Sequence, residues 1–150
     1  MFYRFQYEAE FYPTLSRLLL HVRMKFDLIG IKLSLKDWLA FSMEERMVLC
    51  HLPVESDEEK QAFSAYVNFL CQRYCGVPAE RVPPMSASLW DSASEIPAPV
   101  VERSAAYGTA VTLQEWNRWQ SHHRYALYKT AISKNEPEKF DAVLKELRES

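Results

Sequence analysis

Four pairs in this chain set a Ser or Thr three residues ahead of an acidic residue at the head of an apolar helical run: Ser34 and Asp37, Ser42 and Glu45, Ser56 and Glu59, Thr112 and Glu115. That is the spacing of the capping box. The hydroxyl accepts from the backbone N–H three residues on, and the carboxylate reaches back to the N–H of the cap. Each pair marks a helix start, and strand signals are almost absent. The pattern predicts an all-α chain.

The apolar periodicity fills in the helices. Leu15, Leu18, Leu19, Val22, Phe26 and Ile29 recur at helical steps and predict a helix over 14–29. A second line, Leu20, Met24 and Leu28, gives this helix two apolar faces, so it is buried between layers or offers one stripe to a partner. Gly30 supplies the left-handed residue that ends it. A short helix is expected over 35–41, and another from Ser42 to before Pro53. A longer one follows Ser56, with a stripe of Phe63, Tyr66, Val67, Leu70 and Tyr74, and stops at Gly76. Thr112 opens a helix expected to reach Ser133. The last helix is expected after Asn135, with Pro137 in its first turn and Phe140, Val143, Leu144 and Leu147 as its stripe.

Residues 2–8 alternate in the period of an extended arm. Residues 77–111 carry Pro78, Pro83, Pro84, Pro97 and Pro99, which exclude long regular helices. Trp90, Ile96, Val100, Val101 and Tyr107 make this stretch an ordered wrap or a lid rather than a disordered linker. No internal repeat stands out. The expectation is a single helical domain over 1–150. It is a compact bundle of about five to six helices with an extended N-terminal arm and a long ordered Pro-rich connection.

A formal charge of −2 over 150 residues argues against a nucleic-acid or membrane-surface partner. The apolar cluster LLLHV at 18–22 is too short to span a bilayer. The start MFYRFQYEAEF is charged throughout and does not read as a signal peptide. Three Cys in no secreted framework suit a cytoplasmic location.

Chemistry-bearing motifs are sparse. Cys71 and Cys75 are helical neighbours and Cys50 adjoins His51, but paired metal knuckles are missing. His122 and His123 are expected to point in different directions and so not to share an ion. His123 lies on the Trp116 and Trp119 side as a core histidine, and His21 lies on a polar side. There is no hydrolase or phosphate-loop motif. The reading is no catalytic residue, no metal and no cofactor. Two basic runs remain: Arg23, Lys25 and Lys32 around Asp27, and Arg124 with Lys129. They are solvated faces with local salt bridges, or a docking patch for an acidic protein surface or an anionic cofactor.

The run RMKFDLIGIKLSLKDW, followed by FSMEERMVLCHLPVESDEE, resembles the N-terminal half of the nitrate reductase-associated protein family. Trp116 and the segment RYALYK (Arg124 to Lys129) resemble its C-terminal helix. The resemblance spans most of the chain and is weakest at 77–111. It implies a non-enzymatic accessory or maturation factor for assimilatory nitrate reductase. Such a factor would bind the reductase or its cofactor-assembly proteins and assist molybdenum-cofactor loading. It makes Arg23, Lys25, Asp27, Lys32, Trp38, Arg124 and Lys129 candidate contact residues. Two alternatives stand beside it: a binder of a small anionic ligand such as a pterin, and a generic oligomerisation or scaffold domain, a homo-oligomer included.

Overall fold

The hydroxyls of Ser42, Ser56 and Thr112 accept from the backbone N–H groups of Glu45, Glu59 and Glu115 at 3.1, 3.1 and 3.2 Å. Each glutamate returns a bond to the N–H of its cap. Three of the four expected boxes therefore form and start helices. The computed structural model describes residues 2–134 and 137–149, so the expected start at Asn135 lies outside the described residues. Among the described residues the α-helices are α1 (Leu20–Ile29), α2 (Leu35–Ala40), α3 (Met43–His51), α4 (Asp57–Cys75), α5 (Ala98–Tyr107), α6 (Leu113–Arg118), α7 (Ser121–Ile132) and α8 (Pro137–Glu149). Two-residue strands β1 (Ile31–Lys32) and β2 (Glu80–Arg81) pair antiparallel, with Ile31 opposite Arg81. The fold is all-α.

Four local expectations are corrected. Helix α1 starts at Leu20, not at residue 14, because Pro13 lies in a turn and Leu15 takes φ 46°. Its cap comes from a distance: Glu8 Oε2 accepts from the Leu20 N–H at 2.9 Å. The arm is not extended throughout: residues 2–5 carry no regular structure, and Gln6–Phe11 coil into 3-10 turns. The box at Ser34 is half-formed. Ser34 Oγ accepts from the Asp37 N–H, but Asp37 Oδ1 accepts from the Cys75 thiol at 3.3 Å. The helix expected over 112–133 is two helices, broken where Trp119 turns extended at ψ 151°. Within 77–111, Pro97 and Pro99 sit at the start of the ten-residue α5, where a first turn tolerates them.

The chain divides into two compact units. One holds the residues up to Arg4 and Glu8–Ser86, and the other holds Phe5–Tyr7 and the chain from Ala87. The N-terminal unit closes α1, α2, α3 and α4 around Leu19, Val22, Phe26, Trp38, Leu49, Phe63, Val67 and Leu70. Phe26 meets Phe63 edge-to-face at 5.4 Å. Gly30 is required twice over here. Its φ is +75°, and a Cβ would lie 2.5 Å from the Val82 carbonyl oxygen. That close approach lets the Val82 N–H reach the Gly30 carbonyl at 3.0 Å, and the Met85 N–H reach the Asp27 carbonyl at 2.9 Å. The start of the Pro-rich connection is thereby pinned to the end of α1.

In the C-terminal unit the stripe of α8, Phe140, Val143, Leu144 and Leu147, is buried. Trp90, Val100, Trp116, Tyr125 and Leu127 are buried with no exposed surface. Trp90 meets Tyr125 edge-to-face at 5.0 Å. Arg148 bonds Glu115 Oε2 at 2.9 Å and the Thr109 carbonyl at 2.8 Å.

Candidate functional site

The seven candidate residues separate by burial. Arg23 and Lys32 are exposed, while Asp27 and Lys129 are half-buried. Trp38 is fully buried, and its indole N–H donates to the Leu15 carbonyl at 2.7 Å. Lys25 is buried as well, and its ammonium is consumed internally. Nζ donates to the carbonyls of Cys50 at 2.6 Å, Leu52 at 2.7 Å and Leu49 at 3.4 Å. Those are the last carbonyls of α3, where a cation meets the negative end of the helix dipole. Burial lowers the Lys25 pKa to about 8, which leaves it largely charged at neutral pH. The neighbouring Cys50 thiol is pushed up by burial to about 12 and stays protonated.

Arg124 has an equivalent duty in the other unit. It pairs with Asp91, and its Nε donates to the Trp116 carbonyl at 2.9 Å. The guanidinium therefore closes the C-terminus of α6. The anionic-ligand reading asked Arg23, Lys25, Arg124 and Lys129 to share one concavity. Two of those four cations are already committed to backbone within their own units.

The histidines differ from expectation. His21 is buried, and its Nδ1 accepts from the Tyr3 N–H at 2.7 Å. The rings of His122 and His123 lie 4.2 Å apart instead of diverging. His123 Nδ1 accepts from the Gln120 N–H at 3.2 Å, which requires the unprotonated ring. Burial first, and then His122, lower its pKa to about 4. Among the described residues no group of three or more His, Cys, Asp or Glu side chains is placed to hold a metal ion. No helix among them is long and apolar enough to cross a membrane.

A surface feature that the sequence reading missed lies on α3. Met43, Glu44, Met47, Val48 and His51 line an open depression of about 450 Å³. Val48 is 43% exposed there. The signal in the sequence was Met43 and Met47 one helical turn apart beside Val48; both methionines are half-buried against the core, and Val48 is the exposed apolar residue of the depression. The second stripe of α1 is not a comparable surface, since Leu20 and Met24 are buried and Leu28 is half-buried against the core. The lining of the α3 depression sets two flexible methionines and Val48 beside the polar side chains of Glu44 and His51.

Comparison with curated proteins and with solved structures returned no match. The family model described as the conserved nitrate reductase-associated protein matches residues 4–147, and the chain belongs to that family.

Proposed function

We propose that the protein is a non-enzymatic accessory or maturation factor for assimilatory nitrate reductase. It acts by binding the reductase or a protein that assembles or loads its molybdenum cofactor. The observation that carries this reading is the match, over almost the whole chain, to a family described as nitrate reductase-associated. Two features support binding as the mode of action. The α3 face presents Met43, Met47 and Val48 beside polar neighbours, the mixed character of an interface centre. Arg23 and Lys32 remain exposed for carboxylates of a partner. The pterin-binding alternative is less favoured, because Lys25 and Arg124 already satisfy backbone carbonyls.

The test is complementation in a deletion strain grown on nitrate, with capture of the reductase by the tagged full chain. The wild-type chain restores nitrate reduction and co-purifies the reductase or a cofactor-assembly protein. Val48→Glu weakens capture by about tenfold or more, as loss of a central apolar contact does, while its Tm stays close to wild type. Undiminished nitrate reduction in the strain lacking the protein contradicts the proposal.

A further inference from the structure

We infer that the chain is an internal duplication: one helical unit used twice, with residues 9–70 and 87–147 as the two copies. The register is a constant offset of 78, becoming 77 in the last helix. Helices α1 and α5 are each ten residues long and begin at Leu20 and Ala98. Helices α2 and α6 are each six residues long and begin at Leu35 and Leu113. Helices α3 and α7 begin at Met43 and Ser121, on the same offset. Within it, Leu35 matches Leu113, Trp38 matches Trp116, Arg46 matches Arg124 and Leu49 matches Leu127. Ser34 and Thr112, Asp37 and Glu115, and Phe41 and Trp119 match in kind.

Independent convergence on two short helical bundles explains matching lengths, but not donors at matched positions that tie down the same elements, even where the accepting carbonyl shifts by a residue or more. The Ser34 and Thr112 hydroxyls accept from the N–H three residues on. The Trp38 indole donates to the Leu15 carbonyl at 2.7 Å, and the Trp116 indole to the Ser92 carbonyl at 3.0 Å. Arg46 reaches back from α3 to the Leu39 and Phe41 carbonyls at the end of α2, at 3.0 and 2.9 Å. Arg124 reaches back from α7 to the Trp116 and Asn117 carbonyls of α6, at 2.9 and 3.5 Å. A cation on the first helix closes the third in both copies: Lys25 on the Leu49, Cys50 and Leu52 carbonyls, and Arg103 on the Ser133 carbonyl at 3.2 Å. Even the turn ahead of the first helix repeats, with the Tyr12 N–H on the Ala9 carbonyl and the Trp90 N–H on the Ala87 carbonyl. In the last helix, Phe63, Val67 and Leu70 match Phe140, Leu144 and Leu147, all buried.

The repeat escapes a scan of the sequence because its shared positions are isolated contact-makers set among diverged exposed residues. It also sorts the candidate residues. Lys25, Trp38 and Arg124 belong to the duplicated framework. Arg23 and Lys32 stand against Val101 and Ala110, so they are particular to the first copy. The α3 face is particular to it too: Glu44, Met47 and Val48 stand against His122, Tyr125 and Ala126, all three of them buried. Partner recognition is therefore to be sought where the copies differ.

The test is site-resolved amide hydrogen exchange on the full chain carrying Arg46→Met or Arg124→Met. Each variant raises exchange by about tenfold in the one helix its guanidinium closes, α2 for Arg46 and α6 for Arg124. Arg→Lys at either position restores part of the protection. If either variant does not fold, Lys25→Met and Arg103→Met are read at the ends of α3 and α7. A response from only one member of both pairs, or faster exchange in helices other than those named, overturns the inference.

Discussion

The joint between α2 and α3 and the joint between α6 and α7 have one geometry and two chemistries. In the first, Ser42 caps α3 and the Glu45 carboxylate closes the box at 2.7 Å. In the second, Gln120 precedes α7 and the His123 ring closes it at 3.2 Å. Both are followed by an arginine that reaches back to the short helix before it. Backbone geometry at such a joint is set by which groups accept and donate, and residues of different type fill the same role. Surface chemistry around the joint is unconstrained by that role. This is why the α3 face is open and methionine-rich while its counterpart on α7 is buried.

The comparison breaks most visibly at the tryptophans. Trp38→Ala and Trp116→Ala each remove a fully buried ring and orphan a carbonyl partner. Each is expected to cost about 3–5 kcal/mol in denaturant melts. A large loss at one position with a small loss at the other would mean the two units do not share a framework.

The glycines give a smaller and asymmetric effect. Gly30 and Gly76 both have φ +75°, but a Cβ at Gly30 collides with the Val82 carbonyl while one at Gly76 meets open space. Gly76→Ala is expected to cost about 1 kcal/mol, the left-handed penalty alone. Gly30→Ala is expected to cost at least about 2 kcal/mol, because the β1–β2 pairing must also shift. Thermal melts of the two single variants measure the difference.

A further effect is an acid dependence. His123 titrates near its ordinary 6.5 when unfolded and at about 4 when folded. Between those values the unfolded chain binds the extra proton. Stability from this group is therefore complete above pH 6.5 and is lost as pH falls towards 4. Glu45 behaves differently. Burial raises its pKa, but bonds from the Ser42 N–H, Tyr74 and Ser42 hydroxyls, with Arg73 nearby, bring it below the usual carboxylate range. Its contribution survives until more acidic pH. His123→Gln keeps an acceptor for the box without the titration. Its Tm should fall less than that of wild type between pH 6.5 and 4.

Much of the fold was legible in advance, for identifiable reasons. Ser42, Ser56 and Thr112 act locally, so their spacing at the head of an apolar helical run announces their helices. Gly30 and Gly76 end helices by conformation, which is also local. The start of α1 was not legible, because its cap is Glu8, twelve residues upstream in a turn. The break at Trp119 was hidden because Trp116, Trp119 and His123 keep helical spacing across it. The site was less legible than the fold. Basic residues look alike in a sequence whether they face solvent, as Arg23 does, or close a helix from inside, as Lys25 does. Only tertiary contacts with Leu49, Cys50 and Leu52 distinguish the two.

The most direct test of a framework used twice needs no substitution. It is solvent exchange of the indole N–H protons, followed by NMR on the wild-type chain. The Trp38 and Trp116 protons, each donated to a backbone carbonyl, are expected to exchange only when their own unit opens, more slowly than the Trp119 proton. Rapid exchange at either Trp38 or Trp116 would contradict the account.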